Sequence, residues 1–302
     1  MVKPLVSVCI ITYNHGKFIV QAIEGVLMQQ VNFDYEIIIA DDCSTDATTD
    51  IIKTYQKKYP DKIKLILQKA NVGPYQNWVD LLAAPVGKYI AYFEGDDYWI
   101  DALKLQKQVD FLEANNDFNI CFHSVKVLDN NFLRDDWITK VPKEISDIND
   151  LIEHGNFIHT PSVVFRSANL VLPPSFSYSP IGDYFLYILL TQDGGKIKFI
   201  DEKMAVYRYG VGIHSTSTSE KKYRDWSIML YLLSLSVKKE YEQKFKNKYA
   251  ASIHNIKYLN YHEAAANLSV LHSFISLQKI LKLIIYKLKR KARDFFLETK
   301  YS

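Results

Sequence analysis

Cysteine is scarce in this 302-residue chain: Cys9, Cys43 and Cys121 stand far apart, with no CxxC pair and no Cys/His spacing suited to a metal. A dispersed set of three argues against a disulfide framework and reads as reduced cytosolic thiols used as small apolar side chains. Long apolar runs are missing too. No window reaches the roughly 18–20 residues a membrane-spanning helix requires. The opening stretch MVKPLVSVCIITYN is too short in its apolar part, and lacks the small-residue cleavage site, of a secretory leader. There is little charge imbalance: 37 Lys and Arg against 34 Asp and Glu leave +3, so no whole-chain field draws nucleic acid. No GxGxxG follows the first apolar run and no GxxxxGK[ST] occurs anywhere. Those absences speak against a dinucleotide oxidoreductase and a P-loop NTPase.

What is present is a chain 48% hydrophobic and 24% charged, able to bury a large core as one domain with an appendage or as two domains. Its first part alternates between two periods. Leu5–Ile11, Tyr35–Ala40, Ile63–Leu67 and Lys88–Phe93 are short apolar runs of buried-strand type. Between and after them, Phe18–Met28, Thr45–Tyr59, Tyr75–Ala84 and Asp101–Asn115 carry helical spacing, with Ser44 or Thr45 and Asp101 placed as caps. Strands alternating with such helices predict an α/β fold of βαβ units around a mostly parallel sheet. From 120 to 209 the pattern is less regular, with strands at Ser162–Phe165 and Ile197–Ile200 and a helix at Asp183–Leu190. From about Glu220 onward the sequence reads helical.

Ligands of such sheets bind beyond the carboxyl ends of the strands, so the polar residues there matter most. After the fourth strand comes Glu94-Gly95-Asp96-Asp97. Three carboxylates within four residues repel one another, and a hard cation such as Mg²⁺ or Mn²⁺, shared with a substrate's phosphates, would relieve that. An acidic surface turn capping the next helix is the other reading. Asp41-Asp42-Cys43-Ser44-Thr45-Asp46 follows the second strand; Ser44–Asp46 fit a helix cap, and Asp42 fits a contact to a base or ribose. After the first strand, Tyr13 can stack on a base while Thr12 and Asn14 hydrogen-bond, or Asn14 and Gly16 can simply form a turn. With no glycine-rich cradle, a diphosphate would have to be neutralised by a metal, in agreement with the acidic cluster.

The ordered set VSVCIITYN, EIIIADDCSTDAT, NVGPYQNW, KYIAYFEGDDYW and KLQKQVDFLE resembles the family-2 glycosyltransferases of the GT-A fold, closely over about the first 115 residues. IHTPSVVFR, IGDYFLYILL and KMAVYR extend the likeness more loosely to about residue 215. The resemblance implies a nucleotide-binding half at 1–115, an acceptor half at 116–215 and a helical C-terminal region at 216–302. It places Tyr13 and Asp42 at the nucleoside, Asn71 and Gly73 in the loop flanking the donor, and Asp96 and Asp97 on the metal and diphosphate. Asp183 of Gly-Asp-Tyr falls where the family has its catalytic base. A carboxylate there is chemically apt, because displacement at an anomeric carbon needs a group to take the acceptor's proton; capping the helix that follows is the alternative.

The chain departs from the family at Ile11, where proline is common, and at Glu94, where the first Asp of the acidic motif stands. It also lacks the histidine two residues after Tyr207-Arg208; the nearest, His214, is either a third metal ligand on a loop or an ordinary loop histidine. His159, Thr160 and Ser162 either line the acceptor side or form a buried strand with satisfied hydroxyls. In residues 276–297 Leu277, Ile280, Leu281, Ile284, Leu288 and Phe295 share one helical face, opposite Lys279, Lys282, Lys289, Arg290 and Arg293. That pattern suits an anionic membrane surface, or a helix docked on the domain. No Gln-x-x-Arg-Trp motif and no spanning helices accompany it, unlike the processive synthases that resemble this family.

The expectation is therefore an inverting transferase using Mn²⁺ or Mg²⁺. It would add one sugar at a time from a nucleoside-diphosphate sugar, UDP above all, to a free or lipid-linked glycan acceptor, in the cytoplasm or at the inner face of the cell membrane. The rivals are a sugar-phosphate nucleotidyltransferase and a non-catalytic nucleotide- or glycan-binding protein on the same scaffold.

Overall fold

Val6–Thr12 forms strand β1, buried on both faces through Val6, Val8 and Ile10 on one side and Ser7 and Cys9 on the other, as a central parallel strand requires. The computed structural model describes residues 3–212 and 216–257. β1 lies between β2 (Tyr35–Asp41) and β4 (Tyr89–Glu94), parallel to both, and β3 (Ile63–Leu67) extends the sheet beyond β2. In register, Val8 faces Ile37 and Ala91, and Ile10 faces Ile39 and Phe93. These residues meet helices α1 (Ile19–Leu27), α2 (Thr48–Lys58) and α4 (Lys104–Ala114) through Ile19, Ile23, Val26, Ile52, Leu105 and Leu112. Cys9, Ile38 and Tyr92 share the other face; there Trp78 of α3 (Pro74–Ala83) stacks on Tyr92 with ring centroids 4.9 Å apart. Each such fully buried large apolar side chain contributes about 1.5–3 kcal/mol.

Among the described residues ten strands form one sheet, eight of them in the order β3-β2-β1-β4-β9-β6-β10-β5, with β7 paired to β6 and β8 to β10 off that path. β9 (Val164–Arg166) runs antiparallel to both β4 and β6 (Phe118–Asp129), so β6 points the same way as β1–β4, and β10 (Lys196–Arg208) is parallel to β6. The short β5 (Tyr98–Trp99) closes that edge against β10. β7 (Phe132–Asp135) folds back on β6 through Asn130-Asn131; both asparagines have positive φ, 48° and 70°, the two-residue turn whose twist matches a hairpin. β8 (Ile145–Ser146) and α5 (Ile148–His154) follow, the helix capped by Asp147 in a capping box with Asp150.

The sheet is thus mostly parallel and helix-covered, as the alternation predicts. The first region was the legible one. β6 and the thirteen-residue β10 are strands where the apolar runs around Cys121 and at Ile197–Ile200 suggest them but run longer than those segments, and Thr160–Ser162, expected partly as strand, is a 3-10 turn leading into β9. Helix α2 begins at Thr48 with Ala47, not Ser44 or Thr45, at its N-cap position; Asp46, just before it, accepts the Thr48 amide on Oδ1 at 2.9 Å.

The described chain divides into two compact units, one of residues 1–170 with 190–216, the other of 171–189 with 217 onward. In the second, α6 (Gly182–Thr191) is apolar on all sides, Tyr184 through Leu189 being buried. Tyr184 packs on Trp226 of α7 (Ser219–Ser236), and Tyr231 of α7 packs on Tyr249 of α8 (Lys239–Lys257), each pair at 5.1 Å. Residues 276–297 and His214 lie outside the described residues. No described helix is long and apolar enough to cross a membrane.

Candidate functional site

Four loops leave the carboxyl ends of β1, β2, β3 and β4 side by side, and short polar side chains tie them together. Asn14, at φ 56°, donates its amide to Ser44 Oγ at 2.8 Å and accepts the Thr45 amide on Oδ1 at 2.8 Å. Gly16 donates to Asp46 Oδ2 at 2.8 Å. Asp41 accepts the hydroxyls of Ser44 and Thr49. Asp42, 2% exposed, accepts the amides of Val72 and Gly73 at 2.7 and 3.0 Å. Gly73, at φ 86° before Pro74, also donates to Asn71 Oδ1. This brings Asp42, Asn71 and Gly73 into one patch. It gives Asp42 a structural task, though each of its oxygens keeps a second lone pair for a ligand. Burial, with Asp41 nearby, pushes the Asp42 carboxyl up despite those amides. Tyr13 stands at the mouth of β1 with 38% of its surface exposed, while Thr12 is buried.

The acidic turn after β4 holds the densest charge. Glu94, Asp96 and Asp97 each offer a carboxylate oxygen within 4.8 Å of the others. Asp96 and Asp97 are buried. Asp97 Oδ1 accepts the Arg208 backbone amide at 2.8 Å; among the described residues its Oδ2 is buried with no hydrogen-bond partner. Burial and the carboxylates of Asp96 and Glu94 push Asp97 well above the usual carboxylate range. A buried, unpartnered carboxylate oxygen facing two more acids is costly without a positive charge. Three hard oxygen donors converging at this spacing fit a divalent cation such as Mg²⁺ or Mn²⁺.

The turn is held from several directions. Gly95 donates to Ile11 O at 2.8 Å. A Cβ at Gly95 would lie 2.9–3.1 Å from the side chains of Ile19, Thr12 and His15, so a larger residue there would have to push those side chains aside. Thr160 donates its hydroxyl to Glu94 Oε2 at 3.0 Å. The Arg208 guanidinium donates to the Asp96 carbonyl and to Gln21 Oε1, between the rings of Phe18 and Tyr98 at 4.8 and 4.6 Å.

Sequence reading missed several of these partners. Glu94 was legible as part of the cluster but not as a donor equal to Asp96 and Asp97. Arg208 was visible only as the end of KMAVYR. His15 carries a buried Nδ1 with no partner among the described residues; burial lowers its imidazole even though Asp96 and Asp46 pull the other way. His159 pairs through Nε2 with Asp136 Oδ2 at 3.0 Å, a contact between residues 23 apart that no local pattern announces. Ser162 donates to the His159 carbonyl at 2.6 Å. Asp183 belongs to the second compact unit, in the first turn of α6, and His214 is outside the described residues.

Comparisons with known proteins agree with this arrangement. The chain is 38% identical over 223 residues to an uncharacterised Mycobacterium tuberculosis protein, covering 72% of this chain and 63% of that one; it thus spans less than two thirds of that relative's length. It is 30% identical over 223 residues to the Escherichia coli UDP-Glc:alpha-D-GlcNAc-diphosphoundecaprenol beta-1,3-glucosyltransferase WfaP, covering 73% of this chain and 82% of WfaP. In fold it resembles the Pyrobaculum calidifontis mannosyltransferase PcManGT, solved with GDP-Man and Mn²⁺, at TM-score 0.59 and 14% identity over 99% of this chain and 84% of that one. The GT-A-like sheet is therefore shared with solved glycosyltransferases, and the Glycosyl transferase family 2 profile matches residues 7–171, more than half of the sequence: the chain belongs to that family.

Proposed function

We propose that this protein transfers a glycosyl group from a nucleoside-diphosphate sugar, with UDP as the nucleotide, to a glycan acceptor. The observation that carries the reading is the acidic turn: three carboxylates within 4.8 Å, one oxygen of Asp97 buried and unpartnered among the described residues, at the carboxyl end of a parallel strand. Glu94, Asp96 and Asp97 would hold a divalent cation. That cation would supply positive charge where the departing diphosphate gains negative charge.

The remaining roles follow from the chain's own groups. Tyr13, Thr12, Asn14 and Asp42 bound the nucleoside end, and Asn71 and Gly73 border it from the third loop. Asp183 is the base. As the bond between the anomeric carbon and the phosphate oxygen breaks and the bond to the acceptor oxygen forms, the hydroxyl proton passes to its carboxylate. A single displacement of this kind inverts the anomeric centre. We read the enzyme as adding one sugar per encounter. The name of WfaP, whose acceptor is diphosphoundecaprenol-linked, supports a lipid-linked acceptor in surface polysaccharide synthesis. The basic amphipathic pattern of 276–297 would suit the cytoplasmic membrane face.

A panel of UDP-, GDP- and dTDP-sugars, scored for release of nucleoside diphosphate with and without Mn²⁺, tests the reading. Release from a UDP-sugar that needs Mn²⁺, lost by at least about a hundredfold in Asp183→Ala with UDP binding retained, is the expected result. Binding without turnover of any donor would instead favour a non-catalytic protein. Pyrophosphate release from a nucleoside triphosphate and a sugar phosphate would favour a nucleotidyltransferase.

A further inference from the structure

Beside the acidic turn, on the same compact unit, two aromatic rings stand in solvent on fixed backbone. Trp137 is 48% exposed and Tyr209 is 40% exposed, and their ring centroids lie 5.8 Å apart, edge to face at 66°. Exposing two large rings side by side forgoes burial that would stabilise the fold, and paired exposed aromatics mark binding surfaces. Neither ring dangles. Asp136 accepts the Ile138 amide at 2.7 Å and the Thr139 hydroxyl at 2.5 Å, pinning the turn that carries Trp137. Tyr209 is tied to β6 by its amide, 3.0 Å from Leu128 O.

Tyr209 directly follows a residue that holds the acidic turn, and Trp137 is linked to that turn through a short relay of contacts. The residue before Trp137, Asp136, holds His159 Nε2 at 3.0 Å, and the residue after His159, Thr160, donates to Glu94. The residue before Tyr209, Arg208, donates to Asp97. The chain beyond Tyr209 runs past Asp96, since a Cβ on Gly212 would sit 3.5 Å from Asp96 Oδ2. An aromatic surface with a polar imidazole–carboxylate edge therefore lies along the rim of the reaction centre.

We infer that Trp137 and Tyr209 form a platform for a sugar ring of the acceptor, with the His159–Asp136 pair and Arg134 as its polar edge. A pyranose has an apolar face of C–H bonds that packs on an aromatic ring and a girdle of hydroxyls that need partners. Arg134, whose guanidinium carbon is 5.8 Å from the Trp137 ring centroid, offers donors to those hydroxyls; the Asp136 carboxylate is taken up by Ile138, Thr139 and His159, so that pair contributes through the His159 ring. A wholly apolar occupant would leave that polar edge unpaired. The inference rests on the glycosyl-transfer reading, because it is the acceptor that must sit at this rim.

The test uses the full chain and methyl glycosides of glucose, galactose, mannose and N-acetylglucosamine, followed by saturation-transfer NMR. UDP with Mn²⁺ is titrated calorimetrically on the same preparations. At least one glycoside is expected to receive saturation, strongest at ring C–H protons. Trp137→Ala and Tyr209→Ala should each weaken that signal at least fivefold and leave UDP affinity within about twofold; both side chains are exposed, and circular dichroism checks that the variants fold. No signal from any glycoside, or an undiminished one in Trp137→Ala, overturns the platform. So does loss of binding to phosphatidylglycerol vesicles in Trp137→Ala without change in the glycoside signal, which reassigns the face to lipid. Failure of the wild type to bind UDP sinks the donor reading instead, since the glycoside signal needs no nucleotide.

Discussion

Arg208 shows how one side chain can organise charge without meeting the substrate. Its backbone amide fixes Asp97, its guanidinium fixes the Asp96 carbonyl and Gln21, and two aromatic rings flank it. Lysine would keep the charge but not the planar fork or the stacking. Arg208→Ala should therefore destabilise the fold by about 1.5–3 kcal/mol, the range for buried hydrogen bonds to a charged group. Arg208→Lys should recover only part of both stability and turnover. Urea melts alongside donor turnover check this; a lysine variant with wild-type activity would show that charge alone matters there. The acidic turn was legible because its carboxylates are consecutive in sequence. Arg208 was not, because its partners lie more than a hundred residues away and only the folded sheet makes them neighbours.

At the scale of elements, helix α1 and strand β5 pack with almost no space between them. A Cβ on Gly25 would lie 2.9 Å from the Trp99 amide nitrogen and 3.0 Å from its carbonyl oxygen, both backbone atoms that cannot swing aside. Gly25→Ala regains helix propensity of about 1 kcal/mol, but overpacking of this sort costs about 1–3 kcal/mol. The net effect should be a lower melting temperature. Turnover should fall with it, because β5 directly follows the acidic turn. A rise in melting temperature on calorimetry would mean that α1 can slide away from β5. The βαβ run from β1 to α4 could be read from the sequence because each strand is a short, uniformly apolar segment. β6 could not be read so simply: Asn119, His123, Ser124 and Lys126 interrupt its apolar positions. β10 is broken by Asp201-Glu202-Lys203, where its register with β6 shifts between Ile200 and Ala205. Of the cap cluster Ser44–Asp46 only Asp46 reaches the first turn of α2, because Ser44 is already committed to Asp41 and Asn14.

For the whole molecule, cation binding and acidity are linked through Asp97. Without a cation, burial and its acidic neighbours hold its carboxyl above the usual range. The folded protein then keeps a proton there that the unfolded chain has already lost. That contribution to stability is present at low pH and declines as pH rises through the raised value. A cation must displace the proton, so its affinity should move the other way and increase with pH, by at most about tenfold per unit for one proton. Mn²⁺ should therefore raise the melting temperature more at pH 8 than at pH 6, measured by differential scanning fluorimetry. Asp97→Asn should abolish the difference. An equal shift at both pH values would separate cation binding from this carboxyl.

The three thiols also divide the molecule by chemical vulnerability. Cys9 and Cys121 are sealed within the sheet, where burial disfavours the thiolate and pushes Cys121 up to about 12. Cys43 alone meets solvent, in a left-handed backbone turn between Asp42 and Ser44. Thiol-directed alkylating agents will therefore strike first at the second loop, beside the residues assigned to the nucleoside rather than at the acidic turn.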